Sequence, residues 1–288
     1  MDKLLFIRYR RPDNIDAGGE QGTNTNYRVL CHIFGEENIL VYYIHESLSK
    51  KILFLHAFSI FINFFKGYYY GLSQKKVDSI TALAMPFSYV FIDRSIFGII
   101  SKALKDKHYT GKIITFFHNV ESVYFKAKIG KSKPWCPIVV NCVTKNDQQA
   151  CDYSDIIIAL NERDKQEIEN RYHRSPDILS PVVFQDKYNN SHPDFEKMTR
   201  NIPVCLFLGT YFPMNVHGIL WFVREVLPEV NIKLQIVGKG MKAILPMVTN
   251  LPNIEVYSDV ANLKPYIENA DFMLLPIFEG SGMKVKTC

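Results

Sequence analysis

Paired cysteines are missing from this 288-residue chain. Its six cysteines, Cys31, Cys136, Cys142, Cys151, Cys205 and Cys288, form no Cys-x-x-Cys pair and no Cys/His group at zinc spacing. That excludes the zinc-ribbon and thioredoxin-type classes. Scattered cysteines in so long a chain point to a reducing cytosol. No apolar run reaches the roughly 20 residues of a membrane-spanning helix. The start, Met1-Asp2-Lys3-Leu-Leu-Phe-Ile, goes straight into a strand pattern, so no signal peptide is expected. Charge of one sign is also scarce. A net +5 suits anionic small molecules or an anionic membrane face, and falls short of a nucleic-acid-binding protein. No short-period repeat occurs, and no Asp-x-Asp pair stands anywhere.

What is present is apolar: 47% hydrophobic and 13% aromatic residues, enough to predict a substantial core and no disorder. The length allows two domains of ordinary size. Leu4 to Tyr9 reads as a strand, and Arg10 to Gly22 as a glycine-bearing loop. Thr23 to Phe34 reads as a helix with Tyr27, Leu30, Cys31 and Phe34 on one face, and Asn38 to Ile44 as a strand. This βαβ opening implies a parallel sheet. The alternation continues with strands at Tyr89–Asp93, Gly111–His118, Asp155–Leu160 and Ile178–Phe184. Helices are expected at Ser95–Lys107, at Pro134–Ala150 and after Asn161.

Residues 51–71 hold an apolar run of about fourteen residues with His56, Ser59 and Asn63 inside it, flanked by Lys50, Lys51 and Lys66. Two placements suit it: a helix buried against the sheet, the favoured one, or a helix lying in the plane of a bilayer. The polar, proline-bearing stretch 185–201 reads as a linker. After it the plan restarts. Strands are expected at Val204–Leu208, Lys233–Val237, Asn253–Tyr257 and the buried run 271–275. Helices are expected at Asn215–Glu229 and Lys264–Asn269. Beyond Pro276 come Gly280-Ser281-Gly282 and then Lys284 and Lys286. A strand, a small-residue turn and a helix start present backbone N–H groups to a phosphate, with lysines as countercharge.

In order and spacing the second half resembles the nucleotide-sugar domain of family-four glycosyltransferases of the B-type fold. Four segments carry the resemblance: Phe207-Leu208-Gly209-Thr210 through Trp221; Leu234-Gln-Ile-Val-Gly238-Lys-Gly240; Asn253 through Asp271; and Gly280-Ser281-Gly282-Met283-Lys284-Val285-Lys286. The first half is similar more loosely, through Gly18-Gly19 with Arg28, His118-Asn119-Val120-Glu121, and Leu160-Asn161-Glu162. The resemblance implies an α/β fold with two Rossmann-like domains. Residues 1–187 would be the acceptor-side domain and residues 201–288 a partial, incomplete nucleotide-sugar-binding domain. The family's donor-site helix, with its ribose-contacting glutamate, would follow Cys288, where this sequence stops.

The implied reaction is retaining transfer of a sugar from a UDP- or GDP-linked donor to a glycan or lipid-linked acceptor in surface polysaccharide biosynthesis. No cofactor, metal or nucleic acid is expected. The implied setting is cytoplasmic, with peripheral contact at the inner membrane face as an option. Lacking Asp-x-Asp, the chain must meet the leaving diphosphate's charge with cations and helix N-termini. Donor contacts are implied at Gly18, Gly19, Gly209, Thr210, Gly238, Ser281, Gly282, Lys284 and Lys286. His118 would touch the donor sugar, Glu121 would orient His118 or the acceptor, and Arg28 and Asn119 would face the acceptor. Two alternatives stay open. One is a truncated, non-catalytic nucleotide-sugar-binding remnant. The other is an NAD-type oxidoreductase, since Gly238-Lys-Gly240-Met-Lys-Ala243 fits a dinucleotide fingerprint with Glu255 ending the next strand.

Overall fold

The computed structural model describes residues 2–11, 18–45, 57–129, 134–181, 200–248 and 251–278. These fall into two compact units. The first, within residues 2–181, is a six-stranded sheet in the order β2-β1-β3-β4-β5-β6, with every pairing parallel. Its strands are β1 (Leu4–Arg10), β2 (Ile39–His45), β3 (Tyr89–Ile92), β4 (Lys112–Phe117), β5 (Ile156–Ala159) and β6 (Ile178–Leu179). Its helices are α1 (Gly18–Phe34), α2 (Ala57–Phe65), α3 (Gln74–Ala84), α4 (Gly98–Asp106), α5 (Glu121–Ile129), α6 (Cys136–Tyr153) and α7 (Glu162–Tyr172).

Leu4 to Ile7 are fully buried, as a central parallel strand covered on both faces requires. Alternation sends Leu5, Ile7, Val90 and Ile92 into one core with Ile80, Phe97, Ile100 and Leu104. It sends Leu4, Phe6 and Phe91 into another with Leu30 of α1 and Phe116. The period of 2 along each strand therefore builds a three-layer unit. The chain leaves β1 for β2 on one side and returns to β3 on the other. The gap between the carboxyl ends of β1 and β3 is thus the topological switch point, where α/β sheets form their crevice.

Three expectations change. Helix α1 begins at Gly18, so Gly18 to Gly22 form its first turns and not a loop. Glycine in a helix costs about 1 kcal/mol relative to alanine. Here Glu20, in the first turn, is clamped by Arg8 at 3.1 Å and Arg10 at 3.4 Å. An acid at a helix start also suits the dipole. Secondly, helix α2 keeps Phe61, Ile62 and Phe65 at 44%, 37% and 64% exposure, so it is not buried against the sheet along its second half. Burial resumes at Tyr68 and Leu72, after Gly67 (φ 87°) closes the helix and the Tyr68 N–H reaches back to the Asn63 carbonyl at 2.8 Å. No described helix is long and apolar enough to cross a membrane. Thirdly, α3 and α5 are unforeseen. Ser73 caps α3 by accepting from the Lys76 N–H, and Val77, Ile80, Thr81 and Ala84 make its buried face.

The second unit, within residues 200–278, is a four-stranded parallel sheet in the order β10-β7-β8-β9. Its strands are β7 (Val204–Leu208), β8 (Lys233–Gly238), β9 (Ile254–Ser258) and β10 (Phe272–Met273), and its helices are α8 (Pro213–Glu225), α9 (Leu245–Val248) and α10 (Lys264–Asn269). Its core joins Phe207, Ile219, Phe222, Leu234, Ile236 and Ile244. The predicted strand at 271–275 exists and is parallel, but it is an edge strand. Phe272 and Met273 are exposed, because among the described residues β10 pairs with β7 alone. The Asp271 carboxylate anchors it by accepting the Val204 N–H at 2.8 Å.

Asn146 of α6 ties three segments of the first unit. Its amide oxygen accepts the Ile99 N–H at 3.0 Å, and its amide nitrogen donates to the Gly67 carbonyl at 2.8 Å and to the Cys142 carbonyl at 2.9 Å. This needs α4 pressed on α6: a Cβ at Gly98 would lie 1.9 Å from the Asn146 carbonyl oxygen. Gly98→Ala is therefore expected to destabilise the chain by about 1–3 kcal/mol through overpacking. Thermal melts of the two proteins check this, and an unchanged midpoint would show that the helices are free to separate.

Candidate active site

The switch point of the first unit carries a buried polar cluster. Asp93 directly follows β3, and its N–H donates to the Ile7 carbonyl at 3.0 Å. One carboxylate oxygen, Oδ2, accepts from the Thr23 hydroxyl at 2.5 Å, and the other, Oδ1, accepts from the Asn26 amide at 3.1 Å. His118 directly follows β4, and its Nε2 lies 3.3 Å from Oδ1 of Asp93. Asp93 is 1% and His118 5% exposed. Burial opposes ionisation of Asp93, but the His118 imidazole, Arg94 and the Thr23 hydroxyl outweigh it and hold the carboxyl below its usual range. The His118 ring leans on Phe116, with centroids 4.7 Å apart. Across it sits Gly22, where a Cβ would fall 3.2 Å from Cε1 and 3.3 Å from Nδ1. Helix α1 thus lays Gly22 against the histidine and holds Asp93 with Thr23 and Asn26.

Glu121, the first residue of α5, is also buried. Burial pushes its carboxyl up to about 8, with Asp147 adding to the rise and Arg94 and Lys128 opposing it. Asp147 of α6 is pushed up to about 6, again by burial. It accepts from the Ser122 N–H and the Tyr172 hydroxyl, both at 3.0 Å. Sequence reasoning passed over Asp93, the carboxylate 3.3 Å from His118, and Glu121 feels the charge of Asp147. The overlooked signal was an acid directly after a fully apolar strand, Tyr89-Val-Phe-Ile-Asp93. Asn119 is half-buried beside His118. Arg28 is exposed on α1, off the face that carries Thr23 and Asn26. Gly18 and Gly19 open α1.

In the second unit two glycine turns meet at the carboxyl ends of adjacent strands. The Gly209 N–H donates to the Val237 carbonyl at 2.9 Å. A Cβ at Gly238 would lie 1.8 Å from the Gly209 carbonyl oxygen, so only glycine lets these turns touch. The exposed Thr210 follows, its carbonyl accepting from the Asn215 amide at 2.9 Å. Helix α8 then starts at Pro213 with no side-chain cap on its first N–H groups. The partner turn is braced where the Gly240 N–H donates to the Asp259 carboxylate at 3.2 Å. Ser281, Gly282, Lys284 and Lys286 lie outside the described residues. The acid of the dinucleotide fingerprint is misplaced: Glu255 is the second residue of β9, not its last. It is engaged by Lys233 at 2.7 Å, Gln235 at 3.0 Å and Tyr257 at 3.0 Å.

Residues 202–288 match the family model described as Glycosyl transferases group 1. No curated protein matches the sequence. Among solved structures the chain is similar to the apo form of the lipopolysaccharide outer core galactosyltransferase WaaB, with a TM-score of 0.55, 16% identity, and 96% of this chain and 74% of that one covered. It is similar to sucrose-phosphate synthase from Thermosynechococcus elongatus, with a TM-score of 0.64, 12% identity, and coverage of 99% and 78%. It is also similar to Anabaena Alr3699/HepE in complex with UDP and glucose, with a TM-score of 0.60, 11% identity, and coverage of 99% and 77%. At these identities the likeness establishes the fold, which is the B-type glycosyltransferase fold with Rossmann-like parallel sheets.

The buried acid pair makes stability depend on pH. Glu121 keeps its proton in the folded state up to about 8, whereas the unfolded chain releases it near an ordinary 4.5. Between those values the unfolded state binds fewer protons, so stability falls as pH rises. Glu121→Gln is expected to flatten that slope and to gain on the wild type most at the alkaline end of the window. Urea unfolding across this range checks it, and parallel curves for the two proteins would place the Glu121 carboxyl in water.

Proposed function

We propose that this chain, which has the B-type glycosyltransferase fold and whose residues 202–288 match the group 1 family, transfers a sugar from a nucleoside-diphosphate donor with retention of configuration. The acceptor in this reading is a glycan or lipid-linked glycan of a surface polysaccharide. The observation that carries it is the contact between Gly209 and Gly238 at the head of α8, inside the matched residues. A helix start with no side-chain cap, reached through a turn that carries no Cβ, is a site for a diphosphate. Charge grows on that diphosphate as the glycosidic bond breaks, and fixed donors that meet it there lower the barrier. Lys284 and Lys286 supply the cations, in place of a divalent ion. His118 contacts the donor sugar, with Asn119 and Arg28 on the acceptor side. The exposed Phe61, Ile62 and Phe65 suit an acceptor presented at the cytoplasmic face of a membrane, where the protein would bind peripherally.

Calorimetry with UDP, GDP and NAD tests the donor. One of the two diphosphates is expected to bind, unaffected by EDTA, and to lose at least tenfold in affinity in Gly238→Ala, about 1.4 kcal/mol or more. NAD binding without either diphosphate would sink the proposal. Turnover is tested by hydrolysis of UDP-glucose, UDP-galactose and GDP-mannose. His118→Ala is expected to reduce it by about a hundredfold or more, the scale of a lost transition-state contact. Binding without any turnover would leave a nucleotide-sugar-binding protein in place of a transferase.

A further inference from the structure

We propose that Asp93 is a positioning residue: held by Thr23 and Asn26, it sets the neutral His118 imidazole with its proton on Nε2, so that the Nδ1 lone pair is the one left to accept a hydrogen bond from a sugar hydroxyl. The proposal rests on the reading of His118 as a donor-sugar contact and adds what makes that contact specific.

Both oxygens of the Asp93 carboxylate are committed. Thr23 holds Oδ2 and Asn26 holds Oδ1, so the group cannot rotate away from the histidine. His118 Nε2 is sealed from solvent and has no aligned hydrogen-bond partner, with Oδ1 of Asp93 at 3.3 Å. If the proton sat on Nδ1, a lone pair at Nε2 would face a carboxylate across that distance with no water between them. If it sits on Nε2, the N–H places its positive end near the negative oxygen, an attraction that needs no aligned hydrogen bond. The neighbour of one ring nitrogen thus selects the protonation of the other. Nδ1 then carries the lone pair, and it is Nδ1 that Gly22 borders. Any side chain at position 22 would begin within 3.3 Å of that nitrogen. A sugar hydroxyl is the fitting ligand, because it donates one hydrogen bond and carries no charge to compete with Asp93.

The test is the tautomer of His118 in the nitrogen-labelled 288-residue chain. It is read from long-range proton–nitrogen correlations, with the His118 signals identified by their loss in His118→Gln. The wild type is expected to show a protonated Nε2 and a bare Nδ1. Asp93→Asn is expected to mix or reverse the two forms, because an amide can also donate. A protonated Nδ1 in the wild type, or an unchanged tautomer in Asp93→Asn, overturns the proposal. Should Asp93→Asn fail to fold, Thr23→Val replaces it: averaging of the tautomers supports the proposal and an unchanged tautomer overturns it.

Kinetics give the second arm, with UDP-glucose as probe. Asp93→Asn is expected to lower kcat by about tenfold to a hundredfold with KM within about twofold, as for a misaligned contact group. Gly22→Ala is expected to lower kcat while keeping the tautomer. A change in KM alone would assign Asp93 to binding and overturn the positioning role. If the wild type turns over no sugar nucleotide, the transferase reading fails on its own and the tautomer still decides this proposal.

Discussion

A buried carboxylate holds the first unit's site together. Asp93 sits at the end of a strand at 1% exposure, and an ion in that position costs several kcal/mol unless its neighbours replace the lost hydration. Thr23, Asn26 and His118 do so from two different elements, α1 and the end of β4. The same contacts that satisfy the charge dock α1 across the switch point. Helix, strand ends and histidine are therefore fixed by one group.

The second pair of acids shows how strongly surroundings decide ionisation. Glu121 and Asp147 are as buried as Asp93, yet their carboxyls are pushed up while that of Asp93 is held down. The difference lies in the neighbours. Asp93 has an imidazole at 3.3 Å, whereas each of the other two feels mainly its own burial. Two carboxyl environments on one unit, pushed in opposite directions, separate a group that stays charged beside His118 from one that keeps its proton near neutrality.

In the second unit the limiting factor is space. Gly238 touches the Gly209 carbonyl because it carries no side chain, and Gly218 lets α8 approach the Pro276 carbonyl, where a Cβ would lie 1.7 Å away. Such contacts bring backbone segments together at the strand ends where a Cβ would keep them apart. The geometry offered to a ligand there depends on backbone shape, so one methyl group at Gly238 would be felt more than most changes of charge.

The sequence alone determined the class and order of elements: parallel strands alternating with helices, restarted after residues 185–201, with His118, Gly209 and Gly238 at strand ends. Apolar runs bounded by glycine and polar residues carry that information locally. It also held the cap at Ser73 and the acid at Asp93, which went unread because a single polar residue after a strand has many ordinary explanations. Only the tertiary structure decided that Gly18–Gly22 is helical, that β10 is an edge strand, that Phe61 and Phe65 face outward, and that Asp93 lies beside His118. Each of those outcomes depends on groups far apart in the chain, such as Glu20 with Arg8 or Asp93 with Thr23, and no local pattern records which distant partner will replace water at a buried charge.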